Sequence, residues 1–279
     1  MLSTGMLVLI MLLIVLYVNL LSHFDMKNKI TYTICILVIF YIVLIIKKQY
    51  DDYNKNHKSF LSDPKDATKP LVIHRDKLPK FNNGSEFTYN FWIFIEDWEY
   101  KYSEPKCILY KGDKNCKKAS PSIWLYPNEN KLMVRLDTFN SNANDTMNPI
   151  TNSSLYQDGI VCDVENIPLQ RWVNVSVTLW NRTTDVYING KLVRSCILPN
   201  VPKLNDGFLY VNQHGGFKGK MSKLIVINKC LNPNAIYDLY LKGPYTFNLL
   251  KHIFDGDINV SVSVGSGDDA YSTSGSINI

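Results

Sequence analysis

The stretch WVNVSVTLWNRTTDVYINGKLVRSC, from Trp172 to Cys196, decides the fold class of this chain. In WVNVSVTLW, apolar side chains alternate with polar ones, which is the period of a β-strand that buries one face. The chain then turns at 181–184 and continues as DVYING. Asn189-Gly190 is the dipeptide favoured for a type I′ turn, because both central residues must adopt positive φ. LVRSC is therefore expected to return antiparallel, so the stretch predicts a strand followed by a tight hairpin.

Strand-like patterns recur from Phe81 to about Tyr245, with one short helix expected around 234–241. These patterns combine β-branched and aromatic residues with turn residues between them. The further strand-like stretches are FTYNFWIFI (87–95), SIWLY (122–126), KLMVRLDTF (131–139) and KMSKLIVIN (220–228). Many antiparallel strands with little helix predict a mainly β protein, an antiparallel jelly-roll β-sandwich over 81–245.

Two uncharged apolar segments, 5–21 and 30–46, precede this domain. Each has 17 residues, about 25 Å as a helix, and the hydrocarbon core of a bilayer is about 30 Å thick. A short polar loop separates them, so residues 1–48 are expected to form a transmembrane helical hairpin that anchors the protein. A cleaved signal peptide followed by one span is the alternative, and the lack of Lys or Arg before the first segment disfavours it.

The flanks of the apolar segments predict topology and a linker. More lysines follow the second segment (Lys47, Lys48, Lys55, Lys58) than lie in the loop between the segments (Lys27, Lys29). This excess predicts that the C-terminal domain lies on the cytoplasmic side. Residues 49–80 are polar and contain three prolines, which predicts a linker or stalk. Residues 246–279 are rich in Ser, Gly and Asp, which predicts a flexible tail with one short strand at 258–264.

Charge and motif content argue against several classes of function. The net charge is +5 without a basic tract, so a nucleic-acid partner is not expected. GGFKGK (215–220) lacks the spacing of a phosphate-binding loop, and its glycines are better interpreted as a close backbone approach or a bulge. A glycosidase needs two carboxylates about 5 Å apart. The nearest run, Glu96 to Glu99, has the wrong spacing, so we expect no enzyme activity.

Three stretches together carry a family resemblance: FTYNFWIFI, WVNVSVTLWNRTTDVYINGKLVRSC and GGFKGKMSKLIVINKCLNP. In this order they resemble the laminin-G and pentraxin branch of the concanavalin A-like lectin/glucanase superfamily. The resemblance implies a lectin-like, non-catalytic module that binds a glycan or a protein surface. The alternative is a structural scaffold that docks a membrane to a capsid or a partner protein, without binding sugar. The N-terminal membrane hairpin and the Asn-, Lys- and Ile-rich composition also resemble membrane proteins of large DNA viruses, which implies a virion or host-cell internal membrane.

Lectins of this branch bind through loops at one sheet edge, often with calcium, so the resemblance directs attention to loop residues. Oxygen ligands suit calcium, which makes Asp137 and Asp206 candidate calcium ligands. Aromatic rings could stack on a sugar, or they could belong to the core. The candidate ligand-binding residues are Trp98, Trp124, Tyr126, Asp145, Asn205 and Asp206.

Six cysteines and six N-x-S/T sequons complete the candidate sites. Cys107 and Cys116 flank a short loop that a disulfide could close, and a bond between Cys162 and Cys196 could join the two ends of the Trp172 strand and its hairpin. Free thiols are the alternative in a reducing cytosol. The sequon at Asn174 lies within a strand. The candidate glycosylation sites are Asn83, Asn144, Asn152 and Asn181.

Overall fold

Two antiparallel β-sheets stack face to face, and one apolar core fills the space between them. The computed structural model describes residues 4–20, 26–80, 86–139, 148–151, 155 and 162–245. The strands are β1 His57–Phe60, β2 Lys65–Asp66, β3 Leu71–Ile73, β4 Glu86–Asp97, β5 Lys106–Gly112, β6 Ser122–Leu125, β7 Lys131–Arg135, β8 Val164–Glu165, β9 Trp172–Trp180, β10 Thr183–Ile188, β11 Lys191–Ile197, β12 Phe208–Val211 and β13 Lys218–Ile227. The predicted antiparallel sandwich is confirmed.

The seven-stranded sheet has the order β1-β13-β4-β9-β10-β11, with β2 also paired to β13, and the six-stranded sheet has the order β3-β12-β5-β6-β7-β8. Alternate residues of β4 and β9 point into the core, as their sequence period predicts. Asn189 and Gly190 have φ values of 51° and 74°. This backbone joins β10 to β11 in the predicted hairpin.

The outer face of the seven-stranded sheet is covered by helix α3, Pro233–Leu241. Asn232 caps the helix, since its side chain accepts a hydrogen bond from the Ala235 amide at 2.8 Å. Trp92 on β4 stacks on Tyr240 of α3, with ring centroids 5.7 Å apart. Nearby, Asn90 donates to the Asn174 side-chain oxygen at 3.0 Å. The buried amides of Asn90 and Asn174 on this face are therefore hydrogen-bonded to each other.

Helices α1 (Thr4–Leu20) and α2 (Met26–Asn56) precede the sandwich and contact each other. Within the described part of the chain, one helical stretch, Ile30–Asn56, is long and apolar enough to cross a membrane, and α1 contains a shorter apolar stretch, Leu7–Tyr17. Most described side chains of both stretches are exposed. The predicted membrane hairpin thus corresponds to two helices, of which one has the length and composition of a span.

The predicted linker over 49–80 is wrong, because this segment belongs partly to α2 and partly to both sheets. Helix α2 continues to Asn56, and β1 follows directly and pairs with β13. β2 also pairs with β13, whereas β3 pairs with β12 of the other sheet. These strands have two to four residues each. Such short edge strands are too brief to show a period in the sequence, which is why the prediction failed.

The GGFKGK segment folds as predicted, with glycines at close backbone approaches. A Cβ atom on Gly216 would lie 2.0 Å from the Ala67 carbonyl oxygen, and one on Gly219 would lie 1.9 Å from the Phe94 carbonyl oxygen. Gly219 also lies at a register shift between β13 and β4. These glycines therefore bring β13 into contact with β4 and with the segment after β2.

Candidate functional site

A cavity of about 410 Å³ opens at the rim of the sandwich, where residues 74–80 leave the six-stranded sheet. We call it the rim pocket. Its walls come from the segment after β3, the end of β5 and the turn before β12. The lining residues are Arg75, Asp76, Leu78, Pro79, Lys80, Lys111, Asp206 and Gly207. Asp206, which the sequence analysis selected, therefore lies in this wall.

Lys111 is the most buried charged group of the rim pocket, with 3% of its surface exposed. Its Nζ donates to the backbone carbonyl of Asn205 and lies 3.3 Å from the Asn205 side-chain oxygen. Burial lowers the pKa of Lys111 to about 8, and the charge of Asp206 acts in the opposite direction. A buried cation of this kind favours a negatively charged or oxygen-rich neighbour.

Asn205 shapes the turn that forms the pocket wall. Its amide nitrogen donates to the carbonyls of Lys111 and Lys118 at 3.0 and 3.1 Å, and its side-chain oxygen accepts from the Gly207 amide at 3.0 Å. A Cβ atom on Gly207 would lie 2.2 Å from the Gly112 carbonyl oxygen, so only glycine fits there. Asn205 is consequently a structural residue of the site, and Asp206 is displayed beside it.

Cations outnumber carboxylates in the lining of the rim pocket. Arg75, Lys80 and Lys111 carry positive charge, and Asp76 and Asp206 carry negative charge. Asp76 is already engaged, since His74 Nδ1 lies 2.7 Å and Arg75 Nε lies 3.8 Å from its carboxylate oxygens. The remaining charge of the lining is positive, which favours an anionic or hydroxyl-rich ligand.

A row of aromatic rings borders the rim pocket and crosses the outer face of the six-stranded sheet. The exposed end of the row consists of His74, which is half-exposed, and of Phe208 and Tyr210, which are half-buried. The centroid distances along the row are 4.4 Å for His74–Phe208, 6.3 Å for Phe208–Tyr210, 4.9 Å for Tyr210–Tyr110, 6.2 Å for Tyr110–Trp124 and 6.0 Å for Trp124–His214. The accessible rings offer a stacking surface next to a charged cavity.

Two of the predicted stacking residues lie inside the protein, which corrects that prediction. Trp124 has no exposed surface, and Tyr126 is 8% exposed. The Trp124 indole donates to the Ser122 hydroxyl at 2.8 Å, and the Tyr126 hydroxyl donates to Asp163 at 2.5 Å. Both belong to a second apolar cluster on the outer face of the six-stranded sheet. Neither ring can therefore stack on a sugar in the folded protein.

Two further predicted residues, Trp98 and Asp137, each lie beside a lysine. Trp98 is half-buried against the core, and Lys106 Nζ lies 5.0 Å from the centroid of its ring. Asp137 is 3% exposed and pairs with Lys203 Nζ at 3.2 Å. Among the described residues there is no group of three or more His, Cys, Asp or Glu side chains that could hold a metal ion. Asp137 and Asp206 as calcium ligands therefore stay a prediction, and Asp145 lies outside the described residues.

Among the described residues, one pair of cysteines is bridged and the other cysteines are not. Cys162 and Cys196 form a disulfide. Cys107 and Cys116 are buried and not bridged, so the predicted disulfide between them is wrong. Burial raises the pKa of Cys107 well above its usual value and raises that of Cys116 to about 12. Both thiols are therefore protonated, apolar components of the second cluster.

Among the described residues, the sequon at Asn181 is the accessible one. Asn181 is exposed at the turn between β9 and β10, with φ of 56°. Asn174 has no exposed surface. The sequons at Asn83, Asn144 and Asn152 lie outside the described residues.

The sequence analysis missed His74, Phe208, Tyr210 and Lys111. Phe208 and Tyr210 alternate with the core residues Leu209 and Val211. This alternation, directly after Asn205-Asp206, was a usable sign of an aromatic outer face. Lys111 lies in the charged run KGDK, which is typical of a solvated turn, so its burial could not be predicted.

The sequence, the two stacked sheets and the rim pocket together define a lectin-type β-sandwich with a cavity at its rim. The family model Laminin_G_3, described as concanavalin A-like lectin/glucanases superfamily, matches residues 66–237. This match covers more than half of the chain, and the chain belongs to this superfamily. The resemblance to this superfamily that the sequence carries is thereby confirmed.

Similar solved structures include two toxin binding domains. The binding domain of botulinum neurotoxin serotype D is 14% identical over 67% of this chain and 43% of that chain, with a TM-score of 0.45. The binding domain of Paraclostridial Mosquitocidal Protein 1 is 13% identical over 63% of this chain and 42% of that chain, also with a TM-score of 0.45. The chain spans about two fifths of the length of these structures. No curated protein matches its sequence.

Proposed function

We propose that the protein is a membrane-anchored, non-catalytic lectin-like module that binds a glycan at the rim pocket. The observation that carries this proposal is the juxtaposition of a charged cavity with the accessible rings of His74, Phe208 and Tyr210. Sugar recognition combines an apolar ring face, which stacks on aromatic side chains, with hydroxyls that need polar partners. The positive excess of the lining supports a preference for acidic saccharides.

The anchor and the cellular setting are part of the same proposal. The apolar stretch Ile30–Asn56 leads into β1 without a linker, which supports a sandwich held close to a membrane. The resemblance of the composition to membrane proteins of large DNA viruses supports a place in a virion or a host-cell internal membrane.

Replacing Phe208 and Tyr210 together with Ala is expected to weaken saccharide binding about tenfold or more, because each stacked ring contributes about 0.5–1.5 kcal/mol. The measurement is binding of the full chain in detergent micelles to a panel of immobilised neutral and acidic oligosaccharides. Arg75→Ala is expected to weaken binding of the acidic members selectively, because it removes one cation of the lining.

Tyr237→Ala is the matched control for the aromatic double variant. Tyr237 is 45% exposed on α3, which covers the opposite sheet, so its removal should leave binding unchanged. Glycan recognition at the rim pocket is ruled out if no saccharide binds the wild-type chain. It is also ruled out if the aromatic double variant binds as tightly as Tyr237→Ala.

We propose further that the sandwich faces an oxidising compartment, opposite to the side that the lysine count predicts. The Cys162–Cys196 disulfide supports this placement, because disulfides persist outside the reducing cytosol. The exposed sequon at Asn181 is compatible with it. Glycans are also displayed on lumenal and external surfaces, which agrees with the proposed binding function.

Asn181 is expected to carry an N-linked glycan when the full chain is made in the presence of microsomes. Thr183→Ala should remove one glycan unit from the mobility pattern, because it destroys the sequon. Thr183→Ser, which keeps the sequon, is the matched control and should retain the unit. The measurement is the gel shift caused by an endoglycosidase, combined with protease protection. A digested chain without glycan would place the domain on the cytoplasmic side.

A further inference from the structure

Strand β11, Lys191–Ile197, forms one edge of the seven-stranded sheet. Six of its seven residues are exposed, among them Leu192 at 53%, Val193 at 48% and Ile197 at 79%. In the described part of the chain no strand pairs with the outer side of β11. Its outward backbone groups therefore have the geometry that accepts another strand.

The edge at β11 differs from the other sheet edges in length and in apolar surface. The strands β1, β3 and β8 at the other edges have two to four residues, whereas β11 has seven. Thr183 on β10 is paired with Trp180 on β9 and with Ile197 on β11. The side chains of Trp180 and Ile197 therefore lie on the same face of the sheet and extend the apolar surface from β11 towards β9. Trp180 is 62% exposed. Long apolar edges are normally covered in soluble domains, because they promote association.

We propose that a segment of the same chain, Ile258–Val264, covers this edge as an eighth strand. The segment lies outside the described residues, and its sequence INVSVSV alternates β-branched apolar residues with polar ones. Seven residues match the seven of β11. The alternation gives one apolar face, which can continue the exposed apolar row, and one polar face for solvent.

The position at which the described chain ends makes this pairing reachable. Tyr245 lies beside β9, since its hydroxyl accepts a hydrogen bond from the Trp172 indole at 2.9 Å. The 13 peptide steps from Tyr245 to Ile258 span up to about 45 Å. An eighth strand lies about 15 Å across the sheet from β9, and β11 is about 23 Å long. The connection therefore reaches either end of β11.

Charge complementarity favours the tail over an unrelated occupant. Residues 246–279 contain one lysine, Lys251, and four aspartates, so the formal net charge of this segment is −3. The aspartates flank Ile258–Val264 on both sides. β11 displays Lys191 and Arg194, both exposed. Because the tail is attached to the same chain, its effective concentration at β11 is about millimolar, as for a short linker.

The experiment is hydrogen exchange on the full, disulfide-bonded chain. The β11 amides that point away from β10 are expected to exchange at least about tenfold faster in Ser261→Pro/Val262→Pro than in the wild type. Successive N–H groups of a strand point to opposite edges, so one of the two prolines must remove a donor that faces β11. Ser272→Pro/Thr273→Pro, elsewhere in the tail, is the matched control and should exchange like the wild type.

Three other outcomes would overturn the proposal. The outward amides of β11 could exchange rapidly in the wild type, which would show an uncovered edge. They could be protected equally in both proline variants, which would assign the cover to another element. The chain could also form a dimer in solution whose dissociation on dilution is accompanied by loss of this protection. That result would assign the edge to a second copy of the chain.

Discussion

Replacing Arg135 with Met is expected to lower the free energy of unfolding by about 3–5 kcal/mol, because it leaves the Asp163 carboxylate buried without its cation. Arg135 and Asp163 are 6% and 13% exposed. Arg135 reaches both carboxylate oxygens, at 2.5 and 3.2 Å, and it also donates to the carbonyl of Leu155. The Tyr126 hydroxyl donates to the same carboxylate. This network holds Leu155 and Asp163 against the outer face of the six-stranded sheet.

The measurement is urea unfolding of the full chain in detergent micelles. Lys131→Met is the matched control on the same strand, since its partners Glu129 and Glu165 are exposed, and its effect should be within error of zero. The double variant Arg135→Met/Asp163→Leu should recover part of the loss, because it removes the unpaired charge as well. An Arg135→Met effect no larger than that of Lys131→Met would contradict the role of the network.

The centre of the fold could be predicted because its strands are long enough to show a period. In β9, polar and apolar residues alternate over seven positions, from Val173 to Leu179, and the following Asn189-Gly190 turn fixes the direction of return. Helix α3 was predictable for a similar reason, since its apolar residues follow a capping Asn and a Pro. Local chemistry and tertiary packing agree in these elements, so the sequence pattern was sufficient.

The rim pocket could be predicted only in part. Asp206 was found because its side-chain chemistry suits a binding loop, but the opposite wall comes from 75–80, which was interpreted as a linker. Trp124 was misassigned because β6 is buried on both faces. Its outer face is covered by Cys116 and Ala119, among others. These two residues lie in the connection between β5 and β6, where the sequence shows no strand pattern. Exposure of an aromatic residue depends on such covering segments, and a single sequence does not reveal them.

The Cys162–Cys196 bridge joins the two sheets at one side of the sandwich. Cys162 precedes β8, an edge strand of the six-stranded sheet, and Cys196 lies in β11, an edge strand of the other sheet. The two cysteines are 34 residues apart in sequence. Constraining a loop of this length in the unfolded chain stabilises the folded state by about 3–4 kcal/mol.

The free energy of unfolding of the double variant Cys162→Ser/Cys196→Ser is therefore expected to be about 3–4 kcal/mol lower than that of the wild type in the same urea titration. Cys230→Ser is the control, because Cys230 is a half-buried free thiol and its loss should change stability little. Dithiothreitol should lower the free energy of unfolding of the wild type to that of the double variant. It should leave the value for the double variant unchanged. Equal stability of all three chains under oxidising conditions would show that the bridge adds nothing. In that case the disulfide would also cease to support an oxidising compartment, and the placement of the domain would rest on glycosylation at Asn181 alone.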